Sequence, residues 1–200
     1  VRPDLLQSAV AERADHVLPR DDPDDPMNRQ QLEHVVRAAA EIAGEGEIVV
    51  VGSQAILACD RPIPPDMLRS MEADVYPRNH PERADIIDGA IGPGSIFEES
   101  FGYHADGVGP ETAKLPADWW VRALRFTPTN SHAVAICPEP NDLAVAKLVS
   151  GRKKDLDWVQ SGLRAGLFDP DTIHRRLDTT AAPTTTVTQA RKRLRAMAQS

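Results

Sequence analysis

Two acidic residues one position apart, Glu72 and Asp74, are the side chains of this sequence best placed to do chemistry. They lie in a short run, residues 70–76, whose residue types predict a strand. Because strand side chains alternate between faces and each residue advances about 3.3 Å, the two carboxylates share one face, with Cα atoms about 6.6 Å apart. Two carboxylates in this arrangement can hold divalent cations.

A tight turn precedes this strand. Residues 48–51 are apolar and β-branched without alternation, which predicts a strand buried on both faces. Gly52 then permits a turn that other residues resist, and residues 54–59 are expected to form a short helix directly after it. Free backbone N–H groups at the start of such a helix can receive a phosphate. Residues 47–77 therefore combine a candidate phosphate turn with a candidate metal pair.

Other elements must position this stretch. Apolar residues at helical spacing predict an amphipathic helix over residues 28–43, capped by Asn28. Further expected elements are a helix over 82–90, a hairpin within 96–108 and a strand over 134–137. Residues 119–126 fit a strand and a helix equally well.

The C-terminal part is predicted to be helical. Asn141 can cap a helix whose apolar face runs from Leu143 to Leu163, and a last core helix is expected over 172–177. The threonine-rich residues 179–187 predict a linker, followed by a short basic helix over 189–197. That helix is either a solvated tail or a surface for RNA or an acidic partner.

Composition limits the class of protein. The chain has 200 residues, 41% of them hydrophobic, which suits one ordinary domain with an added tail. Its formal charge of -7 argues against non-specific binding of nucleic acid over the whole surface. No apolar run reaches the roughly 20 residues of a membrane span, and no signal-peptide pattern opens the chain. With two isolated cysteines, Cys59 and Cys137, these features predict a cytoplasmic protein with reduced thiols.

Four parts are expected along the chain. Residues 1–26, with a candidate helix over 4–17 and then prolines among aspartates, predict a flexible extension, and Met27 is a candidate start. Residues 27–137 form the core and 138–178 a helical part of the same domain, followed by the linker and basic tail helix, 179–200.

The glycine-serine turn, the short helix and the acidic pair together resemble the nucleotidyltransferase superfamily. The run PEPNDLAVAKLVSGRKKDLDWV is similar to the helical signature of toxin-type nucleotidyltransferases related to the AbiEii abortive-infection proteins. Residues 50–159 resemble more closely an uncharacterised actinobacterial and proteobacterial nucleotidyltransferase-like family, through SMEADVYP, DGVGPET and a KLVSGRKKD-like helix. The resemblance implies an α/β (α+β) fold, a small mixed sheet flanked by helices.

The resemblance also implies roles. Glu72 and Asp74 would bind Mg²⁺, and Gly52 and Ser53 would form the phosphate turn. Lys147 would neutralise the triphosphate of a nucleoside triphosphate substrate.

Three further residues complete the candidate site. Lys154 follows Lys147 by seven positions, on the same stripe of a continuous helix, with Asp155 beside it as an orienting carboxylate. Asp106 is either a third carboxylate that accepts a proton or a turn former before Gly107. The basic run around Lys154 also suits a solvated helix face, and an acidic pair alone suits an exposed strand.

Three functions follow from this pattern. The first is transfer of a nucleoside monophosphate from the triphosphate to an RNA, protein or small-molecule acceptor with Mg²⁺. The second is a catalytically inactive nucleotide-sensing or partner-binding module of a toxin–antitoxin or regulatory system, with an antitoxin as partner. It is motivated by Glu72, where many active members have aspartate, and by the long separation from Ser53. The third is a metal-dependent nuclease.

Overall fold

Five strands form one mixed sheet in the computed structural model, which describes residues 25–199. In chain order they are β1 Glu47–Val51, β2 Glu72–Pro77, β3 His104–Gly107, β4 Leu124–Phe126 and β5 Val134–Cys137. Their order across the sheet is β3-β2-β1-β5-β4. The β2–β3 and β1–β5 pairs are parallel, and the β1–β2 and β4–β5 pairs are antiparallel.

Seven α-helices accompany the sheet within the described part of the chain. They are α1 Arg29–Ala43, α2 Ala84–Ile91, α3 Ile96–Phe101, α4 Pro140–Ser150, α5 Lys153–Arg164, α6 Pro170–Arg176 and α7 Thr184–Ala198. This architecture confirms the predicted α/β class with a small mixed sheet. The helix expected over residues 4–17 lies outside the described residues, and the division into four parts stays a prediction.

The two faces of the sheet are covered differently. Ile48, Val50, Ala73 and Val75 point into the main hydrophobic core, which the helices complete. The opposite face carries a smaller apolar cluster of Val49, Val51, Tyr76 and Ile136, with Ala84 from the start of α2. It is covered mainly by the segment between β3 and β4, through Val108, Ala113, Leu115, Trp119 and Ala123, and not by a full layer of helices. Alternation along β2 places its two acidic side chains on this second face.

The first helix and the first strand follow the sequence patterns closely. Asn28 caps α1 through a capping box with Gln31, and Gly44 ends it in a left-handed conformation with φ of 62°. Ile48 and the three valines after it are all buried, which confirms the prediction of a strand covered on both faces.

The prediction of a hairpin within residues 96–108 is wrong. Residues 96–101 form α3, because Ser95 accepts a hydrogen bond from the Glu98 amide at one end and Gly102 takes φ of 72° at the other. β3 then pairs parallel with β2, and parallel neighbours need a crossover, here supplied by α2 and α3. Residues 119–126 contain both predicted conformations, a 3₁₀ turn at Trp119–Val121 followed by β4.

The long helix expected from Asn141 to Leu163 is two helices. Gly151 adopts φ of 67°, and its amide donates to the Lys147 carbonyl, which ends α4 before α5 begins. The spacing of apolar residues continues across the junction between α4 and α5 because both helices pack on the same core. The cap position is Glu139 rather than Asn141, since Pro140 occupies the first helical turn.

The terminal helix is longer and better packed than the sequence predicted. α7 begins at Thr184, so the second half of the expected linker over 179–187 is helical. Ala190 and Leu194 are buried in the main core, although the other side of the helix is basic. α6 lies close to the expected 172–177, beginning two residues earlier.

Two smaller features complete the description. Cys59 and Cys137 carry free thiols, as predicted. Across residues 25–199, no helix combines the length and the apolar character needed to cross a membrane.

Candidate active site

β2 and β3 place four ionisable side chains on one face of the sheet. In the parallel register Glu72 pairs with His104 and Asp74 pairs with Asp106. Register partners in adjacent strands point to the same side. The three carboxylates named from the sequence therefore come together, and Asp106 lies in a strand rather than in a turn.

The glycine-serine turn lies directly against Asp74. Gly52 follows the last residue of β1, has φ of 70°, and a Cβ added there would lie 1.9 Å from Oδ2 of Asp74. Only glycine fits this position, because of both the conformation and the close carboxylate. Ser53 begins a 3₁₀ helix, Gln54–Ala58, and its side chain makes no capping bond to that helix. Since the helix has only five residues, close backbone approach, rather than a helix dipole, is what this turn offers to a phosphate.

Burial and acidic neighbours raise the pKa of Asp74 and of Asp106. Burial raises the pKa of Asp74 to about 6, with Asp106 and Glu72 adding to the effect. Burial also raises the pKa of Asp106, and Glu72 and Asp88 act in the same direction, whereas His104 opposes them. The face therefore carries like charges that a bound cation would stabilise.

His104 is a site residue that the sequence interpretation missed. Its ring lies between two carboxylates, with Nδ1 2.7 Å from Oε1 of Glu98 and Nε2 3.1 Å from Oδ1 of Asp106. The side chain is 9% exposed, and it lies at ion-pair distance from Asp106 within the structure. One signal was present in the sequence: His104 and Asp106 have the same spacing on a strand as Glu72 and Asp74.

The junction between α4 and α5 is organised around a buried carboxylate. Asp155 accepts hydrogen bonds from Lys147 Nζ at 2.9 Å, from Ser150 Oγ at 2.7 Å and from Arg152 Nε at 2.6 Å. Burial would raise its pKa, but the bonds from Arg152, Ser150 and Lys147 hold it at about 2. The predicted association of Lys147 with Asp155 is present, but a continuous helical stripe linking Lys147 to Lys154 is wrong, because Gly151 separates the two helices.

This basic junction faces the acidic strands. Lys147 and Lys154 both lower the pKa of Asp74, against the effects of its burial and of its acidic neighbours. The guanidinium of Arg152 has a raised pKa, first through its bond to Asp155 and further through Asp74 and Glu72. Arg152 is thus a second residue missed from the sequence, where it was part of a basic run that also suited a solvated helix face.

The carboxylates of β2 are the candidate ligands for a metal ion. Within residues 25–199, no group of three or more His, Cys, Asp or Glu side chains is arranged to hold a metal ion by itself. Mg²⁺, however, usually keeps several waters and is bound through one or two carboxylates together with substrate phosphates. Glu72 and Asp74, on one strand face beside the Gly52 turn, match that donor set.

Comparison with known proteins gives one match. The model of a family described as "nucleotidyltransferase of unknown function (DUF6036)" matches residues 30–198, a range that runs from α1 to α7. No curated protein and no solved structure matches. The family match confirms the predicted resemblance to nucleotidyltransferases, whereas the relation to AbiEii-type toxins stays a prediction.

Proposed function

The chain belongs to this family of nucleotidyltransferases, and from that premise we propose that it transfers a nucleoside monophosphate from a nucleoside triphosphate to an acceptor hydroxyl. One observation carries the proposal: Asp74 and Asp106 are register neighbours, and Asp74 lies against the Gly52 turn. The acids and the basic α4–α5 junction face each other, as a metal-bound triphosphate requires.

Glu72 and Asp74 are the residues that would hold Mg²⁺, which would polarise the α-phosphate and stabilise the leaving pyrophosphate. The raised pKa of Asp74 supports this role, because a bound cation restores the ionised carboxylate. Gly52 lets the backbone approach the phosphates, and Ser53 donates its hydroxyl to them.

The proton of the acceptor hydroxyl goes to Asp106. Its pKa is raised by burial, which makes it a better base than an ordinary exposed aspartate. His104 Nε2 lies 3.1 Å from Oδ1 of this carboxylate, at ion-pair distance. The acceptor itself is an RNA, a protein or a small molecule, and the test must offer all three.

Transfer assays test the proposal. Purified protein with Mg²⁺ and each of four α-labelled nucleoside triphosphates is offered RNA, protein and small hydroxyl acceptors. We expect label transfer by the wild type and a loss of at least about 100-fold in Asp74→Asn, because the metal pair is broken. Asp157→Asn is the matched control, since that carboxylate is exposed and, among residues 25–199, pairs with Lys153 alone. Absence of label transfer by the wild type, or undiminished transfer by Asp74→Asn, would overturn the proposed nucleotidyl transfer.

A nucleotide-binding module without turnover is the second candidate. The observation in its favour is that His104 Nε2 lies 3.1 Å from Oδ1 of Asp106, the carboxylate proposed to take the proton. Such a module would act in nucleotide sensing or partner binding within a toxin–antitoxin or regulatory system. Calorimetry separates the candidates: Mg²⁺-dependent nucleotide binding without transfer favours the module.

A further inference from the structure

We propose that Arg152, rather than Lys147, is the residue that binds the triphosphate, and that Asp155 positions it. The inference rests on the proposed function, because it names the residue that would hold the nucleotide at that same site. It assigns different roles to the two cations: Lys147 stabilises the buried support, and Arg152 contacts the phosphates.

Lys147 already has its charge compensated inside the structure. Its side chain is only 10% exposed, and Nζ lies 2.9 Å from Oδ1 of Asp155 and 5.1 Å from the centre of the Trp158 ring. Burial lowers its pKa, and Asp155 opposes that effect. A lysine enclosed by a carboxylate and an indole presents little of its ammonium group to a ligand in solvent.

Arg152 has the opposite surroundings. Its side chain is 64% exposed and is anchored through Nε, which donates to Oδ2 of Asp155 at 2.6 Å. The two terminal nitrogens have no hydrogen-bond partner among the described residues. A guanidinium held by Nε keeps its terminal N–H groups in a fixed plane, the geometry in which arginine binds phosphate with two hydrogen bonds.

The fold builds the support for this arginine from three helices. Gly151 turns the chain between α4 and α5, and Arg152 follows in an extended conformation before the first turn of α5. From α7, Arg193 Nη1 donates to the Leu148 carbonyl at 3.3 Å. A Cβ at position 151 would lie 2.2 Å from that same nitrogen, so α7 closes the junction only over a glycine.

The neighbouring lysine shows that position, rather than charge alone, distinguishes Arg152. Lys153 is 87% exposed and pairs with Asp157 at 2.6 Å along the surface of α5. Arg152, one residue earlier, is within electrostatic reach of Asp74 and Glu72. The packing of α5 against residues 65–67, just before β2, brings the start of this helix to the acidic strands.

Binding measurements with two probes test the inference. Isothermal titration calorimetry with magnesium tripolyphosphate and with MgATP is performed on the wild type, Arg152→Ala, Arg152→Lys and the matched control Lys153→Ala. We expect Arg152→Ala to weaken both by about 10- to 100-fold, the loss of one or two charge-assisted hydrogen bonds. Arg152→Lys should recover part of this affinity, because the charge stays but the planar fork is lost. Lys153→Ala should stay within about twofold of the wild type.

Thermal unfolding of the same proteins separates binding from folding, and Arg152→Lys keeps the contact to Asp155 if the alanine variant is unstable. Unchanged binding in Arg152→Ala, or an equal loss in Lys153→Ala, would overturn the role of Arg152 while the proposed function stands. A wild type that binds neither probe would instead remove the nucleotide site, and with it both proposals.

Discussion

Helix α4 has an ionic cluster at each end, and the two clusters are built for different purposes. At its start lies Asp142, which has no exposed surface. It accepts hydrogen bonds from Arg122 Nε at 3.1 Å and from Arg176 Nη1 at 3.1 Å. At its end lies Asp155, which is almost as fully buried and accepts hydrogen bonds from the side chains of Lys147, Ser150 and Arg152. Asp142 therefore gathers arginines from elements that are distant in sequence, whereas all three donors to Asp155 lie within eight residues of it.

The clusters differ in what remains open. Arg122 and Arg176 are both largely enclosed, and Arg176 also contacts Glu139. The Asp142 cluster thus closes on itself and fastens α6 and the loop that covers the second sheet face to the start of α4. The Asp155 cluster leaves the Arg152 guanidinium exposed, opposite carboxylates that lack full compensation. A closed cluster stabilises the fold, whereas an open one is available to a ligand.

The largest effect is expected from Asp142→Ala. Removing this carboxylate leaves Arg122 and Arg176 partly buried without their shared partner, so the free energy of unfolding should fall by about 3–5 kcal/mol. Urea denaturation measures it. The control is Asp118→Ala, which removes only an exposed partner of Arg122 and should cost less than about 1 kcal/mol. Equal losses in the two variants would contradict the structural role of the closed cluster.

The next effect concerns the acids that the open cluster faces. Because the pKa of Asp74 is raised from 3.8 to about 6, its ionisation destabilises the folded state above pH 6, and the penalty disappears as pH falls towards 4. Asp74→Asn should therefore raise the free energy of unfolding by about 2–3 kcal/mol at pH 8 and change it little at pH 4. Urea denaturation at pH 8, 6 and 4 checks this. A gain in stability that is independent of pH would show that ionisation of Asp74 does not destabilise the folded state.

A smaller loss is expected from Gly151→Ala, because a left-handed residue with a side chain costs about 1–2 kcal/mol and the new Cβ also displaces Arg193. Gly166→Ala is a matched control, with φ of 65° and nothing within 4 Å of the added Cβ. Denaturant unfolding should show the greater loss at position 151, and adding Arg193→Ala should remove the excess. If the two glycine variants behave alike, α7 does not support the open cluster.

The smallest change in stability is expected for Arg152→Ala, below about 1 kcal/mol, because the side chain is exposed and Asp155 keeps two other donors. Arg122→Ala should cost more, since Asp142 then loses a bidentate partner in the interior. The same unfolding experiment compares them. An equal loss of unfolding free energy in Arg152→Ala and Arg122→Ala would remove the distinction between the open and the closed cluster.

Sequence reasoning reached much of this site but not its completion. Glu72, Asp74 and the Gly52 turn follow from local patterns, and strand register brings to them Asp106, for which the sequence allowed either a third carboxylate or a turn former. The residue types around His104 predict a hairpin, and a hairpin does not contain the parallel register that sets His104 beside Glu72. The roles assigned to these residues in catalysis and binding stay predictions.

Local sequence patterns are enough to predict the features that depend on near neighbours: the buried strand β1, the capped helix α1, and two carboxylates on one strand face. These follow from side-chain periodicity and from hydrogen bonds between residues a few positions apart. Tertiary structure decided that Asp106 pairs with Asp74 and that Gly151 divides one apolar period into two helices. It also decided that Asp155, only three positions after Arg152, is buried, because strand register and burial both depend on packing between segments far apart in sequence.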